Sequence, residues 1–214
     1  MRQFLFTLLL LWSTFPLSAQ PKQEVRAAWV TSLYGLDWPQ TRAVNAQTIR
    51  KQKEELIAIL DKLKAAHFNT VLFQARTRGD ALYPSSIEPF NVILTGTTGK
   101  NPGYDPLAFA IEECHKRGME CHAWMVTIPL GNRKHVASLG NRSVTKRKKK
   151  ICIRYKNEYF LNPGHPETKK YLMSLVDEIV RRYDIDGVHF DYLRYPEHAF
   201  RFPDEYHFRR YGKG

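Results

Sequence analysis

From Glu24 onward the hydrophobic positions switch repeatedly between a period of two and a period near 3.6 residues, which predicts alternating strands and helices. Glu24-Val-Arg-Ala-Ala-Trp-Val30 reads as a first strand. Asn45 to Ala66 reads as a long helix, with Ile49, Leu56, Ile59, Leu60 and Leu63 on one stripe and Asn45 or Thr48 as its cap. Asn69-Thr-Val-Leu-Phe-Gln74 is a second strand, and a long loop rich in Gly, Pro, Asn and Thr runs from Thr77 to Tyr104. Asp105-Pro106 caps and starts a second helix, which ends at Arg117-Gly118. Glu120-Cys-His-Ala-Trp-Met-Val126 is a third strand, Pro166 to Tyr183 a third helix, and Gly187-Val-His-Phe-Asp-Tyr192 a fourth strand.

Strand and helix in strict alternation imply parallel strands joined by crossover helices. The loops that follow strands are long and those that follow helices are short: His67-Phe68, Gly118-Met119 and Asp184-Ile185-Asp186. Enzymes of barrel type carry their chemistry on the loops after strands. The fold expected is therefore α/β, of (β/α)8 TIM-barrel type, with only about the first four βα units within the chain. An open doubly wound sheet is the competing fold. It calls for a Gly-rich phosphate turn after the first strand, and Thr31-Ser-Leu-Tyr-Gly-Leu-Asp37 lacks one.

Strand parity selects candidate chemistry, because successive side chains point to opposite faces. If Val71, Phe73, Cys121, Ala123, Met125, Val188 and Phe190 face helices, then Leu72, Gln74, His122, Trp124, Gly187, His189 and Asp191 face the barrel interior, with Arg76 following at the rim. Gln74, His122, Trp124, His189 and Asp191 thus converge on one mouth, where buried polar groups need partners or a use. Asp191, at the C-terminal end of the fourth strand, is the leading catalytic candidate. Each has a plainer reading: Asp191 as a salt-bridge partner of Arg194, His122 and His189 as satisfied core histidines, Trp124 as core rather than a sugar platform. Asp80 is read as a loop brace, with a second carboxylate as its alternative. Asp37 and Glu88 are weaker carboxylates, and Asp186 is a turn residue at the opposite end. No Ser–His–Asp arrangement, phosphate loop, HExxH motif or Cys metal spacing is visible, so neither metal nor cofactor is expected.

Composition refines this. Of 214 residues, 43% are hydrophobic and 13% aromatic, as in a globular protein. The net charge of +12 looks at first like a nucleic-acid footprint, but ten basic residues and no acid fall between Asn132 and Asn157, leaving +2 for the rest. Lys146-Arg-Lys-Lys-Lys150 is therefore read as part of a solvated basic loop, residues 133–156, that meets an anionic surface or polymer rather than nucleic acid. Cys114, Cys121 and Cys152 make an odd count, not a disulfide framework. At the N-terminus, Met1-Arg2-Gln3, the apolar run Phe4 to Trp12, and Pro16-Leu-Ser-Ala-Gln20 read as a signal peptide of residues 1–19, cleaved after Ala19. The run is too short to span a bilayer, so a periplasmic or extracellular protein is expected.

Asp186-Gly-Val-His-Phe-Asp-Tyr-Leu-Arg-Tyr-Pro196 is the most specific segment. Together with Arg26-Ala-Ala-Trp-Val-Thr31, Asn69-Thr-Val-Leu-Phe-Gln-Ala-Arg76, the Asp80…Tyr83-Pro84 loop and Asp105-Pro-Leu107, it resembles the glycosyl hydrolase-like 10 family, also called the DUF187 or YngK-like family. The resemblance runs from about Glu24 to the C-terminus. It implies a (β/α)8 barrel, export, and hydrolysis of glycosidic bonds, with bacterial cell-wall glycan as the substrate. It also implies that Asp191 is the strand-four carboxylate, that Arg194 and Tyr195 stand beside it, and that Gln74, Arg76 and Trp124 line the cleft. Strands five to eight of such a barrel are not in the chain. A carbohydrate-binding or inactive fragment is thus the alternative to a working hydrolase.

Overall fold

The computed structural model describes residues 24–212; the signal-peptide reading of residues 1–19 lies outside them. Four strands, β1 (Ala27–Val30), β2 (Thr70–Arg76), β3 (Glu120–Val126) and β7 (Gly187–Asp191), form one sheet in the order β1-β2-β3-β7. All three pairings are parallel. The crossovers are α1 (Ala46–Ala65), α2 (Pro106–Lys116) and α5 (Pro166–Arg182). The alternation expected from the hydrophobic period is therefore the α/β sheet observed.

Local chemistry sets the helix ends. At α1 the Asn45 side chain accepts from the Thr48 amide (2.9 Å), and the Thr48 hydroxyl oxygen accepts from the Asn45 amide (3.0 Å), so both candidates join in one capping box. At α2 one Asp105 carboxylate oxygen accepts from the amides of Leu107 and Ala108, with Pro106 at the first helical position.

The core lies between the sheet and its helices. Val71, Phe73 and Ala75 of β2 and Cys121, Ala123 and Met125 of β3 pack against Leu56, Leu60, Leu107, Ala110, Leu175 and Ile179 of the helices. Parity held for Val71, Phe73, Cys121, Ala123 and Met125. On β7, Val188 packs against this core, but Phe190 is 46% exposed and does not reach a helix as expected. All three cysteines are free, and Cys114 and Cys121 are buried in the core.

Two regions read as loops differ from that expectation. Residues 77–104 fold inward, burying Ala81, Leu82, Tyr83 and Leu94 completely. The basic stretch is not a solvated loop. It holds α3 (Arg133–Ser138), α4 (Val144–Arg147) and β5 (Cys152–Tyr155) and is flanked by β4 (Pro129–Asn132) and β6 (Glu158–Leu161); the three strands form an antiparallel sheet in the order β4-β6-β5. Leu130, Val136, Leu139, Val144, Ile151, Phe160 and Leu161 are its buried hydrophobic residues. Elements of four to six residues are too short to show a period, which hid them in the sequence. Two of the basic side chains hold this subdomain down: Arg142 donates to the carbonyls of Ser85 (2.9 Å) and Glu88 (2.8 Å), and Arg147 to that of Ile87 (2.6 Å).

Arg76 joins these parts. A bulge shifts the β2–β3 register between Gln74 and Arg76, so Arg76 sits opposite Met125, on the helix-facing side of the sheet. There it is fully buried and forms a two-pronged ion pair with Glu88, Nε to Oε2 at 2.8 Å and Nη2 to Oε1 at 2.7 Å. Its remaining nitrogen donates to the carbonyls of Val126 and Thr127, the latter at 3.0 Å. The Tyr171 hydroxyl of α5 donates to Glu88 (2.6 Å). Burial works against the guanidinium charge, yet the adjacent Glu88 carboxylate outweighs it and holds the Arg76 pKa above its ordinary value. Glu88→Gln leaves that cation buried without a countercharge and is expected to lower the unfolding free energy by about 3–5 kcal/mol. Urea denaturation measures it; a loss under about 1 kcal/mol, as at an unremarkable surface site, would contradict this role.

Candidate active site

Asp191 ends β7, opposite Val126 in the register. Its backbone carbonyl accepts from the Thr127 amide (2.9 Å) and hydroxyl (2.8 Å), which locks the strand end to the chain leaving β3. One carboxylate oxygen accepts from the Trp124 indole nitrogen at 3.0 Å, the other from the Tyr192 amide at 2.7 Å. The carboxylate plane is thus held from two sides while each oxygen keeps a free lone pair. Tyr192 sits in the left-handed region (φ 51°), uncommon for a residue with a side chain, and turns the chain sharply after the strand. Arg194 does not pair with Asp191. It bonds Glu197 at 3.2 Å and lies 5.0 Å from the centre of the Tyr192 ring.

These groups border a cavity of about 640 Å³, large enough for a small ligand. The main sheet contributes Thr31, Gln74, Trp124 and Asp191; the small sheet contributes Tyr155, Glu158 and Phe160; Arg194 and Tyr195 close a third side. Gln74 is shaped by its neighbours. Its carbonyl oxygen accepts from the Thr31 hydroxyl (2.9 Å), the Ser32 amide (2.8 Å) and the Ser32 hydroxyl (2.9 Å), pinning the turn after β1. Tyr195 donates to Asp204, and burial together with that carboxylate pushes its pKa up to about 12.

The other sequence candidates lie away from the cavity lining. Arg76 is in the buried ion pair described above, because the bulge inverts the simple alternation that put it at the rim. Asp80 is fully buried, accepting from the Thr77 hydroxyl and the Arg78 amide (3.2 Å), with His135 3.6 Å away. His122 and His189 occupy the inward face deeper along the strands. His122 meets Glu120 at 3.1 Å, and His189 lies edge-on to Trp29 (5.7 Å between ring centres). Trp29 also meets Trp124 edge-on at 6.5 Å and is 56% exposed. It shares the inward parity, a signal present in Arg26–Thr31 but left unused. Asp186, at the opposite end, accepts from the Cys121 amide and from His115.

Among the charged lining residues, Glu158 and Arg78 were not singled out as candidates in the sequence. Glu158 stands on β6, opposite Tyr155 and Asn132, and its side chain has no hydrogen-bond or ion-pair partner among the described residues. Its sequence signal was faint: it is the first acid after the acid-free stretch from Asn132 to Asn157. Arg78 lines the cavity from the loop after β2. Among the described residues, no group of three or more His, Cys, Asp and Glu side chains could hold a metal ion, and no helix is long and apolar enough to cross a membrane.

The parallel sheet, with an oriented carboxylate and an aromatic ring at the C-terminal ends of its strands, makes this an α/β protein with its candidate site where barrel enzymes carry theirs. The chain belongs to the family described as Glycosyl hydrolase-like 10, which residues 24–214 match. It is 37% identical over 202 residues to Glycosyl hydrolase YngK of Bacillus subtilis, covering 93% of this chain and 39% of that protein. It is 35% identical over 207 residues to Glycosyl hydrolase DigH of Escherichia coli, covering 90% of this chain and 47% of that protein. The chain therefore spans less than half the length of these relatives. Among solved structures, the maltogenic alpha-amylase AmyB of Thermotoga neapolitana shares the fold, with a TM-score of 0.50 and 14% identity over 79% of this chain and 39% of that one.

Close packing at the floor of the site limits substitution. A Cβ on Gly187 would lie 2.6 Å from Nδ1 of His122. Gly187→Ala is expected to destabilise the protein by about 1–3 kcal/mol through overpacking, and His122→Ala in the same chain is expected to relieve most of that loss. Thermal unfolding of the two single variants and the double variant measures the coupling; strictly additive losses would contradict the contact.

Proposed function

We propose that this chain is the part of a glycoside hydrolase that carries its catalytic cleft, acting on a bacterial polysaccharide, with cell-wall glycan as the substrate. The observation that carries the reading is the Asp191 carboxylate, held by Trp124 and the Tyr192 amide at the end of β7 and facing the same cavity as the unpaired Glu158. Glycosidic cleavage generally uses two carboxyl groups. One protonates the departing oxygen as the bond to the anomeric carbon breaks. The other attacks that carbon or removes a proton from the water that does. Asp191 and Glu158 are assigned these two roles, and the half-buried Trp124 ring, which lines the cavity, offers a flat apolar surface to a sugar. In this reading the four parallel strands are the first four units of an eight-unit (β/α)8 barrel. Export to the periplasm or cell exterior is part of the same proposal and rests on the pattern of residues 1–19.

The test is the release of new reducing ends from purified glycan strands. Asp191→Asn and Glu158→Gln are each expected to lower the rate by about 10²–10⁴-fold, the usual scale for losing a positioned acid or base. Full activity in Asp191→Asn would sink the assignment. Glycan binding with no new reducing ends from the unaltered protein would identify a carbohydrate-binding protein instead.

A further inference from the structure

Two histidines tie a further helix, α6 (Glu205–Tyr211), to the loop that leads into α5. His165 ends that loop and His207 lies on α6; both are half-buried, and their ring centres are 5.0 Å apart. The protonation state of each ring follows from its neighbours. A backbone amide only donates, so Nδ1 of His165, 3.1 Å from the Glu167 amide, accepts and caps α5. Asn162 is buried, and its side-chain oxygen already accepts from the Gly164 amide (3.0 Å), so its Nδ2 is the group that meets His207. That nitrogen also only donates, and Nδ1 of His207, at 3.0 Å, accepts. Both imidazoles are therefore neutral, each with its proton on Nε2. We propose that the His165–His207 pair is an acid-sensitive latch: neutral, it docks α6; protonated, it releases α6 and loosens the cavity wall at residues 192–197. The latch does not depend on what the cavity binds.

Protonation acts on both bonds at once. A proton on Nδ1 removes the acceptor, so the Glu167 amide loses its cap and the buried Asn162 amide its partner. Two imidazolium rings at this separation also repel each other. Lys150, just before β5, opposes a charge on His165; Glu167 favours one, but is itself paired with Lys170 at 2.6 Å and faces Lys148. Tyr206 and Tyr211 meet the His207 ring at 5.2 and 6.2 Å, and Tyr211 meets His165 at 6.2 Å. Arg210 lies over both tyrosine rings and adds positive charge on the same helix. Burial, then His207 and Lys150, hold the His165 pKa below its ordinary value against the pull of Glu167. A lowered folded-state value means that this stability is complete above the ordinary histidine pKa of about 6.5 and is lost as pH falls below it.

The helix reaches the cavity through the segment before it. Tyr195, on the cavity lining, donates to Asp204, the residue that precedes α6. Phe202 is buried against the rings of Tyr155, Phe160 and Tyr195, and the Tyr155 hydroxyl donates to the His198 carbonyl (2.7 Å). By contrast, no residue of α6 is buried, and Arg209 pairs with Glu205 within the helix. Its close approach is at Gly164, where a Cβ would lie 3.4 Å from Cβ of His207 and 3.6 Å from the Phe208 amide nitrogen. The docking thus centres on the two histidines.

The test is amide hydrogen exchange on the whole chain at about pH 7.5 and about pH 5, on either side of the ordinary histidine pKa and corrected for the intrinsic effect of pH. Protection at residues 205–211 is expected to fall about ten-fold or more in acid, the scale of one pKa unit, while β2 and β3 stay protected. Exchange at residues 192–197 is expected to rise with it. In His165→Asn with His207→Asn, a side-chain carbonyl oxygen takes the place of each Nδ1, caps a helix well and does not titrate. Protection in that double variant is expected to be the same at both pH values, and an equal acid loss there would overturn the latch. So would unchanged protection in the unaltered chain, or none at the higher pH. Imidazole nitrogen shifts of the unaltered chain, followed by NMR, are expected to move over the same pH interval as the exchange; release while both rings stay neutral would overturn the mechanism. Release of α6 without a change at residues 192–197 would overturn the link to the cavity.

Discussion

The buried pairing of Arg76 with Glu88 is the constraint on which the rest of the molecule depends. Removing two charges from water is expensive, and only close geometry with further hydrogen bonds offsets it. Here the guanidinium meets both oxygens of Glu88 and two backbone carbonyls, while Tyr171 donates to one of those oxygens. That single node holds together β2, the 77–104 segment, the end of β3 and helix α5. A hydrophobic replacement would fill the space but orphan the carbonyls at the end of β3. Those carbonyls matter because the next contact in line is catalytic in our reading: Thr127, whose carbonyl accepts from Arg76, donates its amide and hydroxyl to the carbonyl of Asp191. The ion pair therefore fixes the height at which the Asp191 carboxylate meets the cavity.

The bulge that turns Arg76 to the helix side also explains why the sequence misled at that residue. Alternation is an inference from a flat, regular strand. It held for Val71, Phe73, Cys121, Ala123 and Met125, where apolar burial reinforces the pleat. It failed at Arg76, where one extra residue resets the parity. An arginine at a barrel rim and an arginine sealed behind the sheet are indistinguishable by periodicity alone; only the partner, Glu88, twelve residues on within an irregular loop, separates them.

Much of the fold was legible because its long elements are regular. The four parallel strands and three crossover helices follow from period, caps and glycine stops, down to the Asn45 and Asp105 caps. The parity of Gln74, Trp124 and Asp191 brought three of the cavity's residues together in advance. What stayed hidden was tertiary. Glu158, Arg78 and Lys156 lie on turns and short strands, where neither period nor local composition says which direction a side chain points. Phe190 was expected to pack and does not, since packing depends on what lies beyond the strand and not on the strand's own pattern.

The small antiparallel sheet changes how the site is understood. A parallel sheet alone presents a shallow edge, with its functional groups in one plane at the strand ends. The β4-β6-β5 sheet rises from the loop after β3 and stands as a wall against that edge, anchored by Arg142 and Arg147 onto the inward-folded 77–104 segment. Through it the cavity gains depth, a carboxylate at Glu158 and a cation at Lys156, none of which the parallel strands could supply. The same insertion carries nearly all of the chain's surplus charge. Its lysines and arginines thus form two populations: Arg142 and Arg147 hold the wall in place through backbone carbonyls, and Lys148, Lys149, Lys150 and Arg154 stay exposed and give the wall a positive surface.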